Sequence, residues 1–220
     1  MKNAVLIGMI GILLGSPLDS HADPPEIEEV HAGPERSFES IMRSVVEVRS
    51  FYGYGTGTVF EKSGKTYVLT AAHVVTGVDN EPIAVFVVHG EEQKPATIAY
   101  IDSGSDIAIL AIDEMETRDP YRLKFRRSEI GVGDRAGYCG FPNRRDLACF
   151  SGGISHTSDG VINLHSYAFG GASGSLVVDS RGKAIGILSA IEVARFYGMP
   201  TPLESIVWIR PLSRDILENL

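Results

Sequence analysis

Apolar residues along this chain gather in short runs, several alternating with polar positions, and glycine, proline and acidic residues interrupt them at close intervals. A period of two is the signature of half-buried β-strands. Residues 55–60 and 66–70 flank a turn at 62–65 and read as a hairpin, after a first strand at 45–48. Further strands follow at 83–89, 97–101 and 107–112. A polar connection over 114–121 then precedes strands at 135–138, 149–155, 161–166, 176–179, 184–190 and 207–210. Helical pattern is confined to 35–43 and to 214–220, where Ser213 is the predicted N-cap. Many short, turn-separated strands indicate barrels or a sandwich. Because the connection at 114–121 divides them into two groups of similar size, the pattern predicts an all-β protein of two packed barrels with a cleft between them. The first spans about 41–113, the second about 121–212, and a short helix at 213–220 ends the chain.

The amino terminus has a different composition. Lys2 precedes an apolar run over 4–14, and Ser20-His21-Ala22 offers small residues at −3 and −1 of a cleavage site, so 1–22 reads as a secretory signal. The alternative is a retained anchor, although the run is short for a bilayer. Residues 23–34, with three prolines and four acids, read as a flexible lead-in. Export to a periplasmic or extracellular space follows, with no stable membrane insertion once the signal is removed. Lys2 and Asp19 leave together, so the net charge stays at −8, which argues against nucleic acid or anionic lipid as the main partner. Arg122, Lys124, Arg126 and Arg127 form a local basic run whose alternation along a strand predicts a solvated face. The sequence holds no metal-ligand cluster and implies no cofactor.

Two cysteines, Cys139 and Cys149, lie five residues to either side of Arg144, the centre of the turn composition Pro142-Asn143-Arg144-Arg145-Asp146. An antiparallel hairpin would place them opposite each other, so export predicts a disulfide between them; the alternative is two buried thiols.

The chemistry begins at Phe169-Gly170-Gly171-Ala172-Ser173-Gly174-Ser175, where a serine sits among glycines just before an apolar strand. Such a turn can expose a serine nucleophile and bring backbone N–H groups to a developing oxyanion. By itself the stretch reads first as a Gly/Ser hairpin turn. Six histidines, His21, His31, His73, His89, His156 and His165, all precede Ser173. An α/β-hydrolase triad needs a histidine after the serine and is excluded. A subtilisin-like order needs an acid well inside the domain before the histidine, yet only Asp19 and Asp23 precede His73 among the aspartates. The order that survives is His, Asp, Ser. His73 follows the small residues Ala71 and Ala72 at the end of an apolar strand, which leaves room for an imidazole to turn toward a cleft. Eight aspartates lie between His73 and Ser173, and Asp106 stands out because the unbroken apolar run 107–112 follows it. A partly buried carboxylate there needs a partner, and the Nδ1–H of His73 would be one. Asp102 suits a surface turn better.

Three stretches, Tyr67-Val68-Leu69-Thr70-Ala71-Ala72-His73-Val74-Val75, Ser105-Asp106-Ile107-Ala108-Ile109-Leu110 and Gly171-Ala172-Ser173-Gly174-Ser175, resemble the signatures of trypsin-like (chymotrypsin-fold) serine proteases, with the bacterial HtrA/Deg branch most similar. The resemblance runs from about Val45 to Leu220 and includes no PDZ domain. It implies two six-stranded antiparallel barrels, a His73–Asp106–Ser173 triad, and an oxyanion hole made by the N–H groups of Gly171 and Ser173. It also implies that Ser189 supports the acid and that Tyr167, Ala168, Leu188, Ala190 and Ile191 border the substrate-binding pocket. Two positions depart from the pattern. Ala172 stands where digestive proteases carry Asp and HtrA proteases commonly Asn, so the digestive zymogen switch cannot operate. Ser175 stands where Gly is usual, a variant shared with staphylococcal glutamyl-endopeptidase-like enzymes. The expected activity is serine endopeptidase acting on peptides or unfolded proteins; the alternatives are a catalytically silent peptide-binding protein of the same fold and a purely structural β-protein.

Overall fold

Among the described residues, twelve strands form and close into two six-stranded antiparallel barrels. The computed structural model describes residues 35–220, apart from Val78, Asn80, Thr117, Asp159 and Gly198. The expectations for residues 1–34, the signal and the lead-in, lie outside the described residues. A helix, α1 (Glu35–Met42), precedes the first barrel. That barrel consists of β1 (Val45–Ser50), β2 (Tyr54–Lys62), β3 (Lys65–Thr70), β4 (Val85–His89), β5 (Glu92–Asp102) and β6 (Ile107–Ile112), closed in the order β1-β2-β3-β6-β5-β4. The second consists of β7 (Arg135–Gly140), β8 (Ala148–Ser158), β9 (Val161–His165), β10 (Leu176–Asp179), β11 (Ala184–Phe196) and β12 (Met199–Pro211), closed in the order β10-β11-β12-β9-β8-β7. No helix among the described residues is long and apolar enough to cross a membrane.

Alternation is clear in β5 and β9, whereas β2, β3, β6 and β10 are short apolar runs buried along most of their length, as strands covered on both faces are. Val46, Val48, Val68 and Val87 fill the first barrel, while Ile154, Leu164, Val177 and Val207 fill the second. Phe60 and Tyr67 are direct cross-strand partners and stack at 5.6 Å between centroids, an arrangement that locks the β2–β3 register. The first barrel's core continues across the boundary, since Phe141, Leu176, Ala184 and Ile187 pack into it from the second. Burial of that shared apolar surface holds the barrels together.

Cys139 and Cys149 are direct partners in the β7–β8 ladder and are joined by a disulfide, with Cα atoms 4.0 Å apart. Closing a loop of ten residues' separation removes unfolded-state entropy worth about 2–3 kcal/mol. Replacing both cysteines by alanine should lower the unfolding free energy by that amount, measured by urea denaturation at constant m. An unchanged midpoint would show that the bridge contributes nothing.

Three expectations are revised. The terminal segment is a 3-10 helix, Arg214–Asn219, and Ser213 is extended but makes no side-chain capping bond. Strands β11 and β12 extend beyond the predicted 184–190 and 207–210 as one long hairpin. The basic run is not a strand of either barrel; it meets β11 through one parallel bridge, between Phe125 and Ala184.

Candidate active site

The β3–β6 register pairs Thr70 with Ala108, so the chain leaving β3 and the chain entering β6 meet at one end of the first barrel. His73 lies three residues beyond Thr70, in a single 3-10 turn (Ala72–Val74), and Asp106 lies two residues before Ala108. The Asp106 carboxylate lies 3.0 and 2.9 Å from His73 Nδ1 and accepts the His73 backbone N–H at 3.0 Å. A carboxylate offers only acceptors, so the facing Nδ1 carries the proton and Nε2 is left with its lone pair. The Ser189 hydroxyl, from β11 of the other barrel, donates to the second oxygen of Asp106. Burial acts to raise the pKa of Asp106, and the bonds from His73 and Ser189 outweigh it, so the carboxyl sits below its ordinary value. Asp106 adopts φ +53°, a left-handed conformation that aspartate tolerates better than most residues and that aims its carboxylate back at His73. Asp102 behaves as the sequence suggests. Its carboxylate accepts the N–H groups of Gly104 and Ser105 at 2.9 and 3.2 Å and caps the β5–β6 turn.

Ser173 reaches this corner from the second barrel. Its carbonyl accepts the Thr56 N–H at 2.8 Å, and the neighbouring Gly174 N–H donates to Leu188 at 2.8 Å. Gly174 has φ +89°, and a Cβ there would lie 2.2 Å from Thr56 O and 2.3 Å from Thr70 Oγ1, so only glycine lets the serine loop approach the end of β3. The imidazole is half-exposed and Ser173 half-buried, and the Ser173 hydroxyl makes no hydrogen bond to His73 among the described residues. The Asp–His pair is thus linked, with the serine held beside it by backbone bonds.

The peptide ahead of Ser173 has a fixed orientation. Ala172 N–H bonds to Phe169 C=O at 3.0 Å, closing a turn whose third residue, Gly171, has φ +94°, as a type II turn requires. The Gly170 carbonyl accepts the Asn143 N–H at 2.6 Å and the Tyr54 hydroxyl at 3.3 Å. Carbonyl and N–H of a trans peptide point in opposite directions, so the Gly171 N–H is turned away from the 141–145 loop. Neither the Gly171 nor the Ser173 N–H donates to an acceptor among the described residues. A Cβ on Gly171 would meet Tyr54 at 2.3 Å and Phe141 O at 2.4 Å.

Three contributors escaped the sequence reading. Thr56 donates its hydroxyl to Gly171 O at 2.7 Å, accepts from Phe141 N–H at 3.1 Å, and receives the Thr70 hydroxyl on its own carbonyl at 2.8 Å. Tyr54 and Asn143 hold Gly170, and Arg144 lies over the Tyr54 ring at 4.6 Å. The signal available was faint: a second small polar residue in Gly55-Thr56-Gly57-Thr58. Of the residues expected at the substrate pocket, Ala168 and Leu188 belong to the second barrel's apolar core, Tyr167 and Ala190 are exposed, and Ile191 is half-buried beside that core. Tyr167 also accepts the hydroxyl of the buried Tyr138 on its carbonyl, and burial pushes that phenol's pKa up. The two departures from the family pattern are both fully buried. Ala172 packs fully buried in the second core, and Ser175 lies over Gly140, where a Cβ would be 2.4 Å from its Oγ. His89 closes β4, while His156 and His165 are exposed on β8 and β9, and none of the three bonds to Asp106 among the described residues.

A family model for the trypsin-like peptidase domain matches residues 55–187, a span that contains His73, Asp106 and Ser173. The chain belongs to that family. This trypsin-like serine endopeptidase matches no curated protein by sequence. It shares its fold with the Rv3671c protease of M. tuberculosis in its active form, at TM-score 0.64 and 21% identity over 94% of this chain and 89% of that one. The HtrA-type protease AlgW, solved with a tripeptide, matches at TM-score 0.65 and 23% identity over 84% of this chain and 61% of its own. A serine endoprotease from Yersinia pestis matches at TM-score 0.61 and 23% identity, over 79% of this chain and 61% of that chain. At these identities the likeness concerns the fold.

Proposed function

We propose that this trypsin-like peptidase is an exported serine endopeptidase that cleaves peptide bonds through Ser173, His73 and Asp106. The observation that carries the reading is the Asp106 carboxylate, bonded to His73 Nδ1 and N–H and to Ser189 at the corner where the Ser173 loop docks. With Nδ1 held protonated, Nε2 is the base that takes the Ser173 proton as its oxygen attacks a carbonyl carbon. The carbonyl π electrons move to oxygen, and the Gly171 and Ser173 N–H groups receive that oxyanion. His73 then returns the proton to the leaving amine, giving an acyl-enzyme that water hydrolyses by the same route. The lowered pKa of Asp106 keeps it anionic, so it stabilises the imidazolium in between. A fluorophosphonate probe should label Ser173 in the folded protein, identified by tandem mass spectrometry. Unlabelled, folded protein would instead favour a silent peptide-binding role.

Specificity follows from the pocket residues. Tyr167, Ala168, Leu188, Ala190 and Ile191 bring no charge, so a Lys or Arg side chain would enter without a counter-ion at a cost of several kcal/mol. Small or medium apolar P1 residues, such as Ala, Val or Leu, are expected to be preferred in a peptide-library profile. Dominant cleavage after Lys, Arg or Glu would refute this.

A further inference from the structure

The segment joining the barrels contributes Arg122, Lys124, Arg126 and Arg127 to a cleft of about 780 Å³, and folding adds Lys183 from the turn just before β11 and Arg214 from the terminal 3-10 helix. Six of the chain's 20 Lys and Arg residues thus line one cleft, with no Asp or Glu among the lining residues, in a protein of net charge −8. Crowding like charges costs stability unless a counter-charge is supplied. Arg126 has such relief, at 2.8 Å from Asp134 and 4.0 Å from Asp179. The other five form no ion pair among the described residues.

The backbone gives these charges a register. Lys124 C=O accepts the Ala184 N–H at 2.7 Å and Arg126 N–H donates to Ala184 C=O at 3.2 Å, so the segment runs extended beside β11. Arg122 and Lys124 are exposed and two residues apart, a spacing of about 6.6 Å in extended chain. The half-buried Leu123 and Phe125 alternate with them, pack on the first barrel's core, and form an apolar floor with Leu217. We infer that this cleft binds an acidic polypeptide segment in extended conformation, carrying carboxylates at alternate positions and apolar residues between them. Same-face side chains of an extended peptide recur at the spacing of the cations. The apolar floor suits peptide side chains, whereas a polyphosphate or sulfated glycan would leave it uncovered. The cleft adjoins Ala184, five strand residues or about 16 Å from Ser189, so it is a site apart from the one where bonds would be cut. It would recruit acidic proteins rather than select the cleaved residue.

The test is fluorescence anisotropy with the Ser173→Ala protein, whose result is independent of the catalytic assignment. The probe is a labelled dodecapeptide alternating Glu with Ser and Leu, compared with its Gln analogue. At about 50 mM salt the Glu peptide should bind at least about tenfold more tightly than the Gln peptide, and the difference should collapse at about 500 mM. Adding Lys124→Gln and Arg127→Gln, both at exposed positions, should weaken Glu-peptide binding by about tenfold while the circular dichroism stays unchanged. Equal affinity for the two peptides, or no loss in the doubly neutralised protein, would overturn the inference. So would inorganic polyphosphate or phosphatidylglycerol vesicles binding more tightly than the peptide, which would assign the cleft to a different polyanion.

Discussion

Replacing Ser173 by alanine is expected to lower kcat by about a million-fold while leaving the fold intact, by analogy with comparable triads. The expectation rests on how the serine is held. Its backbone carbonyl is bonded to Thr56 and its neighbour Gly174 to Leu188, so removing the hydroxyl breaks no bond that positions the loop. The loss would therefore be chemical. His73→Ala should cost about as much, because a serine without its base and a base without its serine are equally idle. Circular dichroism separates lost activity from lost structure. Turnover near wild type in folded Ser173→Ala protein would remove Ser173 from the mechanism.

The second large effect is expected at the acid. Asp106→Asn should reduce kcat by about ten-thousand-fold. An asparagine can turn its amide toward His73 and donate to Nδ1, which moves the imidazole proton to Nε2 and leaves no lone pair for Ser173. Asp102→Asn is the internal control, since its carboxylate caps a turn through Gly104 and Ser105. It should cost far less activity. Loss in Asp102→Asn with activity kept in Asp106→Asn would transfer the role to position 102. The same carboxylate gives a pH signature. Its folded pKa lies below the ordinary 3.8, so the bonds to His73 and Ser189 stabilise the fold above that value. That contribution is lost as pH falls through the lowered folded pKa, and Asp106→Asn should flatten this acid limb of the stability curve.

Strand positions were legible where an apolar run is bounded by turn residues: β6 and β10 begin and end where the pattern places them. The distal β11–β12 hairpin was not, because Glu192, Arg195, Pro200 and Pro202 lie outside the barrel core and leave no alternation to read. At the site, chain order and the apolar runs beside them pointed to His73, Asp106 and Ser173, of which the structure joins His73 and Asp106 directly. Thr56, Tyr54 and Asn143 could not. They act through main-chain carbonyls that lie 115, 116 and 27 residues further along, and a carbonyl's partner leaves no mark on side-chain pattern. The basic run was visible, but the residues that make it one wall of a cleft, Lys183 and Arg214, come from elsewhere in the chain.

The division of the site between the barrels has a consequence for when the chain could act. The proposed base and acid stand on the first barrel and the proposed nucleophile on the second, and Thr56 fastens both sides of the serine loop only when the two are docked. A chain with one barrel folded would hold only half of the proposed chemistry. Under the proposed mechanism activity would arise only with the docking of the two barrels, so loosening the contacts of Thr56 should silence a chain whose barrels are each intact.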